Sequence, residues 1–110
     1  MEGNSPMITE QQNILGRDEA LGLLQRCKHD VEERYGVMAI GIFGSFARNQ
    51  STAASDVDVA VKLRDSDLFM LVHLKEELET VFHRHVDLIQ YRERMNPFLK
   101  QRIEQEAVYV

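Results

Sequence analysis

The chain has 110 residues, 44% of them hydrophobic and 28% charged, and a net charge of −5 from 13 basic and 18 acidic side chains. That length fits a single domain over residues 1–110, burying roughly two thirds of the surface its unfolded chain exposes, with residues 1–7 read as a flexible leader. The acidic balance argues against broad, direct binding to nucleic acid, and the apolar runs are broken by charge too soon to span a bilayer. The start reads as no secretory signal and Cys27 is the single cysteine, so the expected setting is a reducing cytoplasm, without disulfides or a membrane.

In chain order, Leu21, Leu24, Cys27, Val31 and Tyr35 recur at spacings of three and four, which predicts a helix over about 18–35. Asp18 and Glu19 suit its first turn and Gly36 its C-terminal cap. "VMAIGIF", 37–43, predicts a buried strand and "DVDVAVKL", 56–63, a second, alternating one. Leu71, Leu74, Leu78, Val81 and Phe82 form the stripe of another long helix, with Asp65 or Ser66 as its N-cap. "HVDLIQ", 85–90, predicts a third strand. Asn96-Pro97 reads as a cap and first helical position, followed by a helix with Phe98, Leu99 and Ile103 on its apolar side. "AVYV" ends the chain as a short edge strand. The order α-β-β-α-β-α is that of a small α/β (α+β) domain, a mixed sheet flanked by helices.

Connectivity then decides where the polar residues of these strands go. A helix between the second and third strands predicts a parallel pair with a right-handed crossover, so both strands begin on the same side of the sheet. An antiparallel first strand ends on that side too. One rim thus collects Gly44, Ser45, Asp56, Asp58 and Asp87. Asp56 and Asp58, at i and i+2, face one way. Three close carboxylates repel one another, and divalent cations relieve this. Oxygen-only ligands favour Mg²⁺ or Mn²⁺, and two such ions about 4 Å apart can hold a phosphate while sharpening an attacking oxygen. Gly44 allows close approach to a phosphate, Ser45 adds a hydroxyl, and a short helix begun by "SFAR" points free N–H groups at the same anion.

Each element has a plainer reading. Gly-Ser after a strand is ordinarily a turn, Asp-x-Asp a solvated strand face, and Asp87 an edge charge. Arg48 reads equally as a triphosphate contact or a solvated charge. Lys62, on the strand face of Asp58, reads as a surface lysine rather than a phosphate ligand. His83, His85 and Asp87 imitate a metal triad only if one strand holds all three, and His83 reads as part of the preceding helix. Cys27 reads as core.

Phe43-Gly44-Ser45, ten residues, then Asp56-Val57-Asp58-Val59 resembles the signature of the DNA polymerase beta-type nucleotidyltransferases, with Asp87 in "HVDLI" as the expected third carboxylate. "RYGVMAIGIFGSFAR", "SDVDVAV", "VDLI" and "RIEQEAVYV" are more closely similar to the minimal nucleotidyltransferases, the MNT or MntA-like antitoxins, over about 18–110. The resemblance implies that Asp56, Asp58 and Asp87 are the catalytic carboxylates. Asp56 and Asp58 would bind two Mg²⁺ ions (or Mn²⁺), and Asp87 would bind the catalytic ion and help deprotonate the acceptor hydroxyl. Gly44 and Ser45 would hold the β- and γ-phosphates of a nucleoside triphosphate, with Arg48, from its own position, a candidate contact to the same group. It further implies AMP transfer from ATP to a tyrosine of a HEPN-domain ribonuclease toxin, in a heteromeric complex. Two alternatives are transfer to a small molecule such as an aminoglycoside, and a non-catalytic module that covers a toxin. One departure is Asn49, where many members carry glycine; asparagine tolerates the left-handed backbone that such a turn requires.

Overall fold

A computed structural model describes residues 15–110, so the leader expected at 1–7 lies outside the described residues. The elements are α1 (Arg17–Tyr35), β1 (Val37–Phe43), α2 (Gly44–Ala47), β2 (Val57–Leu63), α3 (Leu68–Phe82), β3 (Val86–Gln90), α4 (Pro97–Glu106) and β4 (Val108–Tyr109). The strands form one sheet in the order β3-β2-β1-β4. β1 runs antiparallel to both β2 and β4, and β2 runs parallel to β3, as the crossover through α3 requires.

Alternation along the strands sorts side chains onto two faces. Ile40, Ile42, Val57, Val59, Val61 and Val86 meet Leu24 and Val31 of α1 and Leu74, Leu78 and Phe82 of α3 in the main core. On the other face a smaller cluster of Phe43, Ala60 and Ile103, with Ile89, Tyr91 and Leu99 against it, holds α4 to the sheet. The stripe expected along α1 is centred slightly differently: Ala20, Leu24 and Val31 are fully buried, while Leu21, Cys27 and Tyr35 pack at its margin. Cys27 donates its Sγ hydrogen to the Leu24 carbonyl at 3.4 Å, and partial burial pushes its thiol pKa up.

Polar ties fix the helices. Arg34 Nη1 donates to Glu77 Oε2 at 2.8 Å and the Tyr35 hydroxyl to Glu77 Oε1 at 3.0 Å, linking α1 to α3. The N-cap of α3 is Asp67, not Asp65 or Ser66; its Oδ1 accepts from the Phe69 N–H at 2.9 Å. Of the acidic and hydroxyl residues in "RDSD", it alone directly adjoins the first helical residue, where a carboxylate reaches the free N–H groups. Asn96 caps α4 as expected, accepting from Phe98 and Leu99 N–H at 2.9 and 3.1 Å. Phe98, expected on the apolar side of α4, is 79% exposed, because it sits at the first turn, before the helix settles on the sheet through Leu99 and Ile103.

β4 lies so close to β1 that a side chain at Gly41 has no room. A Cβ there would meet the Val108 carbonyl oxygen and come within 2.8 Å of Tyr109 Cα. Gly41→Ala is therefore expected to destabilise the fold by about 1–3 kcal/mol, read as a lower urea midpoint. An unchanged midpoint would contradict this packing. Among the described residues no helix is long and apolar enough to cross a membrane.

Candidate active site

β1 ends at Phe43 and turns sharply at Gly44, whose φ is +73°. L residues avoid that conformation, and here a second restriction applies. A Cβ on Gly44 would run into Asp58 Oδ2 and lie 3.1 Å from its Cγ. Gly44 lets the backbone of one strand end pass directly beside the carboxylate of the next strand. The single-turn α2 follows, anchored by the buried Phe46 and carrying the half-buried Ser45. It closes at Asn49, which takes φ +59° and donates its N–H to the Phe46 carbonyl at 3.1 Å. The left-handed turn thus survives with asparagine.

Asp58 pairs in register with Phe43 on one side and with Asp87 on the other. Directly paired residues share a face, so Asp58 and Asp87 are neighbours on the α4 side of the sheet. Asp56 lies one residue before β2, not within it, because the ladder to β3 opens with the Val57 N–H donating to the His85 carbonyl at 3.0 Å. Asp58 is half-buried, while Asp56 and Asp87 are exposed. The Asp58 carboxyl is pushed above its ordinary pKa, first by burial and then by the charge of Asp87, with Asp56 adding to it. Arg102 and Arg48 pull the other way. The acidic groups therefore act on one another electrostatically. Even so, among the described residues no three acidic, histidine or cysteine side chains close into a ready-made cation cage. Like charges hold apart, and two of these carboxylates are free to turn into water.

Arg48 reaches across to α4. Its Nη1 donates to Glu106 Oε1 at 3.0 Å and its Nε to Gln50 Oε1 at 3.1 Å. The same Glu106 oxygen accepts from the Gly44 N–H at 3.1 Å. Arg102, one turn before Glu106, lies over the Phe43 ring, 5.5 Å from its centroid. Sequence reasoning missed Arg102 and Glu106. The available signal was a glutamate in the last helical turn, where the exposed carbonyls disfavour a negative charge. Lys62 stays away from this rim, its ammonium 4.9 Å from the Tyr91 ring centroid and 5.9 Å from that of Tyr109. His83 caps α3 with φ +56° outside β3, which starts at Val86, and His85 Nδ1 faces Glu79 at 3.6 Å. The two histidines and Asp87 therefore do not share a strand.

Comparison with known proteins extends the geometry. The family described as polymerase beta, nucleotidyltransferase matches residues 25–110. A candidate protein adenylyltransferase of Methanocaldococcus jannaschii is 35% identical over 89 residues, covering 80% of this chain and 91% of the relative. The protein adenylyltransferase MntA of Thermococcus cleftensis is 32% identical over 98 residues, covering 88% of this chain and 98% of the relative. Among solved structures, one of the tri-AMPylated Shewanella oneidensis HEPN toxin in complex with MNT antitoxin superposes with a TM-score of 0.55 at 22% identity. That superposition covers 90% of this chain and 69% of the matched one, a likeness of fold. With a glycine turn set against a strand carboxylate, a partner carboxylate in register and a family match across the whole sheet, the chain belongs to the polymerase beta nucleotidyltransferase family, in its minimal, MntA-like branch.

Proposed function

We propose that this chain transfers AMP from ATP to a tyrosine of a HEPN-domain toxin, and so acts as the antitoxin of the pair. Its relatives are named for protein adenylylation, and its fold is shared by a chain from a complex of MNT antitoxin with AMPylated HEPN toxin. The observation that carries the reading is the in-register Asp58–Asp87 pair set against Gly44. This places negative charge, which invites a cation, beside a backbone turn that a phosphate can approach closely.

In this reading Gly44, Ser45 and Arg48 bind the β- and γ-phosphates, through the Gly44 N–H, the serine hydroxyl and the guanidinium. Asp56, Asp58 and Asp87 are an all-oxygen donor set suited to Mg²⁺ or Mn²⁺. Burial first and then the charge of Asp87 raise the Asp58 pKa, and a bound cation would offset the repulsion between these carboxylates. Asp56 and Asp58 would hold two ions and Asp87 one of them; when bound, they supply Lewis-acid stabilisation of the charge on the phosphates. Asp87, exposed at the strand start, takes the proton of the acceptor hydroxyl. The hydroxyl oxygen bonds to the α-phosphorus, the bond to the β-phosphate bridge breaks and pyrophosphate leaves. The position of Asp87 on the open rim suits a macromolecular acceptor, which must present its hydroxyl from outside.

The test is intact-mass measurement of a HEPN protein encoded beside this chain, after incubation with the purified chain, ATP and Mg²⁺. The expected result is a gain of one or more AMP units on the HEPN protein, mapped to tyrosine. An unchanged mass, with the chain folded and the complex formed, would refute the reading.

A further inference from the structure

Glu106 occupies the seat that the proposed reading gives to a phosphate. A single oxygen, Oε1, accepts from the Gly44 N–H at 3.1 Å and from Arg48 Nη1 at 3.0 Å, with Arg102 Nη2 4.0 Å away. A backbone N–H and one guanidinium donating to a single anionic oxygen, with a second guanidinium charge close by, make a set that recognises phosphate. The Glu106 side chain is only 23% exposed. It is also the last residue of α4, where the helix dipole disfavours a carboxylate. The Gly44 and arginine contacts offset that cost and account for its position.

We infer that Glu106 is an intramolecular stand-in for the nucleotide's phosphate, and that a triphosphate must displace it to bind. The inference rests on the nucleotide-binding reading given above. Displacement requires only side-chain rotation. The backbone at this point is pinned by the Ala107 N–H, which donates to the Ile103 carbonyl at 2.9 Å, and by the pairing of Val108 with Ile42. Arg48 keeps its bond to Gln50 when Glu106 leaves, so it stays oriented toward the incoming anion. Glu106 thus holds the two donors in place in the free protein, and it competes with the ligand for both of them. Its charge sets a threshold on nucleotide affinity.

Glu106→Gln keeps the shape and removes the charge; Glu106→Ala removes the competitor altogether. Binding of a non-hydrolysable ATP analogue with Mg²⁺ is measured by calorimetry at fixed salt for the wild type and both variants, with melting curves to establish folding. Glu93→Gln, at a side chain 92% exposed, controls for the change in net charge. The expected result is that both Glu106 variants bind about tenfold more tightly than wild type, with the control within about twofold. Wild-type binding that the Glu106 variants leave unchanged or weaken overturns this inference alone. Absence of binding in every folded protein overturns the nucleotide reading and the inference with it.

Discussion

The double variant Asp56→Asn/Asp58→Asn is expected to transfer nucleotide at least about a thousandfold more slowly than wild type and, free of nucleotide and cation, to melt at a higher temperature. The two effects share one cause. Asp58 is half-buried beside Asp87, and its carboxyl is raised above the ordinary 3.8, by burial foremost and then by the neighbouring acidic charge. Between 3.8 and the raised value the folded chain binds more protons than the unfolded one. Stability therefore falls as pH rises through that window and remains lower at neutral pH. Asparagine has nearly the same shape and no charge, so it removes the penalty together with the proposed cation ligand. The gain in melting temperature should be present at neutral pH and vanish below pH 3.8, where the wild-type carboxyl is protonated in both states. Melting curves at the two pH values and intact-mass assays of the acceptor read both halves. A double variant that still labels the acceptor would refute the catalytic assignment, and one that melts lower at neutral pH would refute the electrostatic account.

Gly44→Ala is the second large effect, and it should separate activity from stability. The positive φ costs an alanine about 1–2 kcal/mol, enough to lower the melting point without unfolding the domain. The steric conflict falls chiefly on the Asp58 carboxylate, a side-chain end that can turn aside. A misplacement of about 1 Å at a reacting centre costs about a hundredfold in rate. Transfer is therefore expected to fall by that much or more in a protein that remains folded at 25 °C, as far-ultraviolet circular dichroism would establish. Near-normal transfer would mean that the close approach of Gly44 to Asp58 does not matter for the chemistry.

The sequence reveals the topology because each step rests on a local rule. Valine-rich alternation marks β2, the helical connection makes β2 and β3 parallel, and that in turn brings Asp58 and Asp87 into neighbouring strands. Gly44 at a strand end was legible as a turn, and Asn49 as a residue able to take its left-handed position. Boundaries were less legible. Asp56 fell just outside β2 and Asp67, not its neighbours, capped α3, since a pattern of apolar residues cannot say which hydrogen bond opens a ladder or a helix.

Periodicity and connection length alone give the order of elements, the strand directions and the gathering of acidic residues at one rim. The contact of Gly44 with the Asp58 carboxylate, the open arrangement of the exposed carboxylates and the reach of Glu106 and Arg102 of α4 to the turn after β1 came from the packing of the folded chain. The Gly44 contact follows from the register that pairs Phe43 with Asp58, whereas the reach of Glu106 and Arg102 depends on how α4 lies across the second face of the sheet. That placement is set by Phe43, Ala60 and Ile103 packing together, residues far apart in the chain whose contact no local pattern encodes.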